Sequence, residues 1–111
     1  MDIPAAQATT ASFLKRFPAI GQFQRFCIRS CRENGFLRTL TQRRRAYPDI
    51  SSSNFAARSH AERSATNFVI QGSAADICKI ALLECSRRLA SKPHLRAKLI
   101  LQIHDELILG K

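Results

Sequence analysis

The chain has 111 residues, which is enough for one small domain with a single hydrophobic core. No apolar run approaches the roughly 18 residues of a membrane span, and the amino terminus lacks a secretory signal, so we expect an intracellular protein without a membrane partner. The formal net charge is +10, and 13 of the 18 basic residues are arginines spread along the whole length, which favours nucleic acid as partner over membrane surfaces or acidic proteins.

The first third of the chain is predicted to be helical. Residues 1–11 are rich in Ala and Thr without periodicity, so they either fray or begin a helix. Residues 12–34 repeat apolar side chains at three- and four-residue steps, and Pro18 is expected to divide them into two helices. The dipeptide Asn34-Gly35 is a typical stop for the second helix.

A short hairpin is predicted next, with strands at residues 36–40 and 43–47. The turn signal is weak, because neither Thr41 nor Gln42 favours positive φ. A loop at residues 48–54 follows, and it contains several possible helix N-caps.

The second half is predicted as one long helix followed by two strands. Residues 55–90 form the helix, and Gly72 within it marks a kink or a close backbone approach. Its expected buried face is an apolar stripe made of Ile70, Ala74, Ile77, Ala81, Cys85 and Leu89. Residues 97–109 are predicted as two strands joined near His104 and Asp105.

Four cysteines lie at helical, apolar positions and are interpreted as small core residues. A zinc site made of Cys27 and Cys31 with His60 or His94 is the alternative, although the spacing matches no standard zinc motif.

Three polar side chains of the long helix follow one another at four-residue steps: Arg63, Asn67 and Gln71. This spacing places them in one row, expected to lie opposite much of the apolar stripe. Carboxamides both donate and accept, so they suit the minor-groove edges shared by all base pairs, while arginine binds phosphate or sugar. The alternative interpretation is an ordinary solvated helix face.

Two adjacent carboxylates, Asp105 and Glu106, interrupt an otherwise apolar run at residues 98–109. An ionised carboxylate at such a place needs a cation or hydrogen bonds to compensate its charge. The pair therefore predicts a divalent metal, with a solvated turn as the alternative.

Three segments together resemble the family A DNA polymerases. Residues 61–79 are similar to the pattern A-E-R-x-A-x-N-x-x-x-Q-G-S/T-A-A-D-I/L-x-K, and residues 102–106 resemble the motif C pattern Q-V/I-H-D-E. Residues 34–50 are similar to the hairpin pattern G-F/Y-V/I-x-T-L-x-G-R-R. Their order agrees with that of the family, and residues 71–76 together with the triple arginine at 43–45 look closest to the theta and nu branch.

The resemblance implies a role for each matching position. Asp105 is implied to be a catalytic residue and a ligand of the two Mg²⁺ ions, with Glu106 a second catalytic carboxylate beside it. The implied DNA-binding residues are Arg63, Asn67, Gln71, His104, Arg43 and Arg44. Among them, His104 is implied to approach the primer terminus.

The resemblance also implies an α+β fold, with helices packed on an incomplete antiparallel palm sheet and the motif C hairpin near the carboxyl terminus. We expect one partial polymerase domain, with late fingers at 1–60 and palm at 61–111. The implied partners are primer-template DNA and, for the full-length parent, deoxynucleoside triphosphates. A monomer in the nucleus, acting in repair or translesion synthesis, is expected.

Parts of the family pattern have no counterpart here. Nothing matches the motif that supplies a second metal-binding aspartate, or the fingers helix that binds the triphosphate. Gln42 replaces the glycine usual in the turn of the first hairpin, at a position expected to need positive φ. Gly110-Lys111 replaces the usual continuation of the last strand and shortens it, so the motif C hairpin is expected to be poorly supported. We expect weak primer-template binding and no polymerisation by the chain alone. The alternatives are a noncatalytic basic nucleic-acid-binding protein and an incomplete gene product without an independent fold.

Overall fold

A computed structural model describes residues 2–111. Helices and two separate antiparallel hairpins make up the chain, which confirms the α+β class. In chain order the elements are α1 (Ile3–Arg16), α2 (Pro18–Asn34), β1 (Phe36–Arg38), β2 (Arg44–Ala46), α3 (Phe55–Ala90), β3 (Lys98–Ile103) and β4 (Glu106–Gly110). Short 3-10 turns at Pro48–Ser51 and Pro93–Leu95 lie before and after α3.

The amino-terminal residues form a capped helix, so of the two alternatives for residues 1–11 the helix is found from residue 3 onward. Asp2 caps α1 by accepting a hydrogen bond from the Ala5 amide at 2.9 Å. The helical conformation is interrupted at Phe17, and Pro18 begins α2, as predicted. Gly35 ends α2 in the left-handed region with φ 78°, which confirms the predicted stop.

The core lies between α2, the first hairpin and the amino-terminal half of α3. Its buried members are Cys27, Cys31, Leu37, Tyr47, Ile50, Ala61, Ala65 and Phe68. All four cysteines are free; Cys27 and Cys31 are buried in this core, as predicted, whereas Cys78 and Cys85 are only half-buried and lie outside it. In residues 2–111 no three His, Cys, Asp or Glu side chains gather around a possible metal position, so the zinc alternative has no support there.

The predicted buried face of α3 is wrong. Ile70 and Ile77 are 57% and 56% exposed, and the helix instead buries Ala61, Ala65, Phe68, Gly72, Ser73 and Asp76. Small residues such as Ala65 and Gly72 allow α2 and the first hairpin to approach α3 closely, and Phe68 supplies the large apolar side chain of this face. At 3.6 residues per turn, Ile70 lies on the same side of the helix as Asn67. The predicted row and the apolar stripe therefore share one face rather than opposing each other.

The first hairpin has shorter strands than predicted. Its register pairs Phe36 with Ala46 and Arg38 with Arg44. Gln42 in the turn has φ 68°, a conformation that glycine adopts without strain and other residues do not. The substitution noted in the sequence therefore lies at a position that does require positive φ.

The second hairpin forms over its full length. Its strands are joined by His104 and Asp105, and Gly110 pairs with Lys98. A side chain at position 110 would collide with Ile100, next to the bulge between Leu99 and Leu101, so glycine fits the last pair of this ladder. Most of the hairpin's apolar side chains remain exposed, which agrees with the expected weak support.

None of the helices formed by residues 2–111 has the length and apolarity needed to cross a membrane.

Candidate functional site

The row Arg63, Asn67 and Gln71 lies exposed along α3. Arg63 and Asn67 line an open groove of about 600 Å³ between α2 and α3, together with Phe23. The Arg63 guanidinium donates to the Ser59 hydroxyl at 2.6 Å, and no carboxylate within residues 2–111 forms an ion pair with it. Hydrogen-bonding groups and one positive charge thus face a channel that is open to solvent.

Gln71 continues the row into a second groove that also contains the turn of the C-terminal hairpin. This groove has a volume of about 450 Å³ and is lined by Gln71, Ala74, Ala75, Cys78, Lys79, Gln102, His104 and Asp105. Its walls come from α3 and from the β3–β4 hairpin, which are far apart in sequence. Two of the predicted site segments therefore meet in one concave surface.

Hydrogen bonds hold the β3–β4 turn against α3. The side-chain nitrogen Nε2 of Gln102 donates to the His104 carbonyl at 3.0 Å and to the Cys78 sulfur at 2.9 Å. Cys78 in turn donates to the same carbonyl at 3.8 Å. His104 has φ 53°, so the turn adopts a conformation that costs energy and that these contacts help to hold.

Asp105 and Glu106 are both exposed at this turn. Carboxylate oxygens are ligands that Mg²⁺ prefers. However, no third His, Cys, Asp or Glu joins them anywhere in residues 2–111. These two residues alone do not make a complete magnesium site.

Arg43, predicted to bind DNA, forms an ion pair with the buried Asp76, although its own side chain is 46% exposed. Its Nε donates to Oδ1 of Asp76 at 2.8 Å, and its Nη2 donates to the Gly72 carbonyl at 3.2 Å. Asp76 is 5% exposed and also accepts a hydrogen bond from the Thr41 hydroxyl at 2.7 Å. The pair lies on the buried face of α3, so the structure does not bring Arg43 into the groove that holds Gln71 and Asp105.

Hydrogen bonds from Thr39 and Thr41, and then from Arg43, lower the pKa of Asp76 to about 2. The Ser73 hydroxyl adds to the same contact by accepting from the Leu40 amide at 3.0 Å. Sequence reasoning missed Asp76, Thr41 and Ser73 as a group. The signal that could have indicated this group is Asp76 itself, because a carboxylate on the buried side of a helix requires a partner for its charge.

Arg44 lies exposed on the outer face of the first hairpin. Its guanidinium covers the ring of Phe36 at 5.2 Å from the ring centroid. Arg45 points to the opposite face, where it lies over Tyr47 and Phe68. Of the predicted DNA-binding arginines, Arg63 and Arg44 form no ion pair within residues 2–111, while Arg43 ties the hairpin to α3.

Comparison with known proteins gives a consistent result. Residues 1–110 match the profile of DNA polymerase family A. DNA polymerase I of Geobacillus stearothermophilus is 48% identical over 103 residues, which covers 89% of this chain and 12% of that protein. DNA polymerase I of Streptococcus pneumoniae serotype 4 is 43% identical over 104 residues, covering 94% of this chain and 12% of its own length.

A similar solved structure is the POL domain of Pol1 from M. smegmatis in complex with DNA primer-template and dNTP. The TM-score is 0.90 at 35% identity, and the match covers 98% of this chain and 19% of that one. The chain thus spans about one eighth of the length of these curated relatives.

Proposed function

This chain belongs to DNA polymerase family A, and from that membership we propose that it forms the part of a DNA-directed DNA polymerase that holds the primer-template beside the reacting end. The partners are primer-template DNA and, in a full-length polymerase, deoxynucleoside triphosphates. The M. smegmatis relative is described in complex with both.

The observation that carries this proposal is the groove shared by Gln71 and Asp105. One of these residues ends a row of hydrogen-bonding side chains, and the other is an exposed carboxylate at a strand turn. A duplex lying along α3 is read by the carboxamides of Asn67 and Gln71 while Arg63 holds its backbone. The same path brings one end of the duplex to His104 and Asp105.

Asp105 is proposed as a Mg²⁺ ligand and catalytic residue, with Glu106 a nearby second carboxylate. Such a site is complete only with a further carboxylate that does not come from residues 2–111. What this chain's own side chains do is bind and orient: Gln102 and Cys78 fix the carbonyl of His104, and thereby the backbone from which Asp105 projects.

The experiment is a pair of assays on the purified 111-residue chain. We expect primer-template binding that weakens as salt rises, and no primer extension with Mg²⁺ and deoxynucleoside triphosphates, because the metal site is incomplete. Absence of any DNA binding by the folded chain contradicts the proposal. Measurable extension by the chain alone contradicts the expectation that it is inactive.

A noncatalytic nucleic-acid-binding protein is the second candidate, favoured by the net charge of +10 and the exposed row on α3. The two candidates differ at Asp105. If Mg²⁺ strengthens primer-template binding by the native chain but not by the Asp105→Ala variant, the polymerase assignment is supported. Equal binding by both, with and without Mg²⁺, favours the noncatalytic protein.

The narrower predictions from the sequence rest on resemblance alone. They comprise the theta or nu branch, a nuclear location, a role in repair or translesion synthesis, a monomeric state, and the division into late fingers (1–60) and palm (61–111). The curated relatives named above are bacterial, so they lend no support to the branch or to the nucleus.

A further inference from the structure

The geometry points to a phosphate-binding clamp formed by Arg38 and Arg44 on the outer face of the β1–β2 hairpin, which holds a phosphodiester of the DNA backbone. This inference rests on the proposed function only in taking DNA as the partner. Arg38 occupies a variable position of the hairpin pattern, so the resemblance assigns it no role.

The two arginines are direct cross-strand partners in the hairpin register. The Thr39 amide donates to the Arg43 carbonyl at 2.9 Å, and the Tyr47 amide donates to the Gly35 carbonyl at 3.1 Å. Because hydrogen-bonded pairs alternate along an antiparallel ladder, Arg38 and Arg44 form a non-hydrogen-bonded pair, the type whose Cα atoms lie only about 4.5 Å apart. Both side chains therefore leave the backbone close together.

Both guanidiniums lie near the Phe36 ring, on the same face of the β1–β2 hairpin. Arg38 and Arg44 lie 5.4 and 5.2 Å from the centroid of the Phe36 ring. The next residues along the strands, Leu37 and Arg45, point to the opposite face, as strand alternation requires. The pair is therefore ordered by stacking without being drawn into the core.

In the part of the chain that the structure describes, no acid forms an ion pair with either arginine. The ion pairs formed within residues 2–111 use other arginines, namely Arg32, Arg43, Arg87 and Arg88. Arg38 donates one side-chain hydrogen bond, to the side-chain oxygen Oε1 of Gln42 at 3.2 Å. Like charges directly opposite each other destabilise a strand pair. A phosphate between them reverses that effect, and the planar donor forks suit its oxygens.

The surroundings favour a DNA backbone over a free phosphate ion. Arg38 borders a groove of about 330 Å³ whose wall includes the rings of Phe23, Phe26 and Phe36. Phe26 is 57% exposed. Such apolar surface has nothing to contact on an inorganic phosphate, whereas the sugars next to a phosphodiester can pack against it.

The test is a fluorescence-anisotropy titration of a labelled primer-template with the 111-residue chain between roughly 50 and 200 mM salt. The Arg38→Gln/Arg44→Gln variant is expected to bind about fivefold more weakly and to lower the slope of log K against log salt by about 0.9, the value for one phosphate contact. The matched control is Lys15→Gln/Arg16→Gln, which removes two exposed charges from α1. Its slope should stay at the native value.

The clamp is overturned if the slope of log K against log salt falls no further for the Arg38→Gln/Arg44→Gln variant than for the Lys15→Gln/Arg16→Gln control. In that case binding by the native chain still stands, and the proposed function with it; no binding by the native chain removes both. An Arg38→Lys/Arg44→Lys variant keeps the charge but loses the planar fork, so we expect an affinity between those of the native chain and the glutamine variant, and native affinity contradicts the role of the planar forks. Inorganic triphosphate added as competitor separates the two phosphate sources. Triphosphate binding that the glutamine variant loses, with equal DNA affinity of the native chain and the variant, assigns the site to a free anion and overturns the backbone assignment.

Discussion

Arg43 and Asp76 form an ion pair of 2.8 Å that joins the turn of the β1–β2 hairpin to the middle of α3 across 33 positions of sequence. Thr41 donates to the same carboxylate, and the guanidinium also reaches the Gly72 carbonyl. The hairpin is thus attached to the helix by polar contacts as well as by the core. Two residues from separate family motifs act here as one structural unit.

The first prediction concerns Asp76→Asn. The folded-state pKa of Asp76 is about 2, below its ordinary value of 3.8, so the ionised carboxylate stabilises the fold above pH 3.8 and this contribution is lost as the pH falls towards 2. At neutral pH the variant should melt about 5 °C or more below the native chain. Between pH 4 and pH 2 its Tm should fall less than the native Tm.

Glu84→Gln is the control for that measurement. Hydrogen bonds from Arg87 and then Arg88 also lower the pKa of Glu84 to about 2, but its side chain is 39% exposed, against 6% for Asp76. Solvent screens the exposed pairs, so we expect a smaller loss of Tm at neutral pH from this change. Equal melting of Asp76→Asn and the native chain at pH 7 contradicts the structural role of the Arg43–Asp76 pair.

The second prediction compares the same substitution at two helical glycines. A Cβ at Gly72 would lie 2.9 Å from the Phe68 ring and from the Thr39 methyl group, so Gly72→Ala should lower the free energy of unfolding by about 1–3 kcal/mol. A Cβ at Gly21 meets only the flexible end of Arg25 at 3.4 Å. Gly21→Ala should raise stability by about 0.5–1 kcal/mol. Urea denaturation of both variants measures the change in the free energy of unfolding. A more stable Gly72→Ala variant contradicts the close approach of Phe68 and Thr39 to Gly72.

Sequence patterns predicted the order and type of the elements because their local signals are strong. Gly35 stops α2, Asn54 caps α3, and the bounds of α3 agree with the prediction. The buried face of α3 could not be predicted in the same way. Hydrophobic periodicity selects Ile70 and Ile77, whereas close packing against the hairpin requires small residues such as Ala65 and Gly72.

The candidate site was predicted in part. The motif matches indicated Gln71 and Asp105 separately, and their common groove depends on how the β3–β4 hairpin docks on α3. Spacing alone could not separate the arginines of the first hairpin into different roles. That division follows from strand alternation together with the position of Asp76, a long-range contact with no local signal in the sequence.

The third prediction separates base contacts from backbone contacts along α3. Asn67→Ala and Gln71→Ala should each weaken primer-template binding about fivefold without changing its salt dependence, because carboxamides contact neutral base edges. Arg63→Gln should reduce the slope of log K against log salt by about 1, because it loses a phosphate contact. Gln22→Ala, a carboxamide of α2 in a different groove, is the control and should bind like the native chain. If Gln71→Ala binds as tightly as this control, the duplex does not follow the row.

The most direct test of the account is a primer-extension assay on a chimera, in which this chain replaces the 103 matching residues of Geobacillus stearothermophilus DNA polymerase I. The account predicts Mg²⁺-dependent extension that falls by at least about 10³-fold with Asp105→Asn. The control Asp49→Asn, which changes another exposed acid, should leave extension unchanged. A folded chimera that binds primer-template yet extends it equally well with and without Asp105, or not at all, would contradict the assignment of Asp105 to the reacting centre.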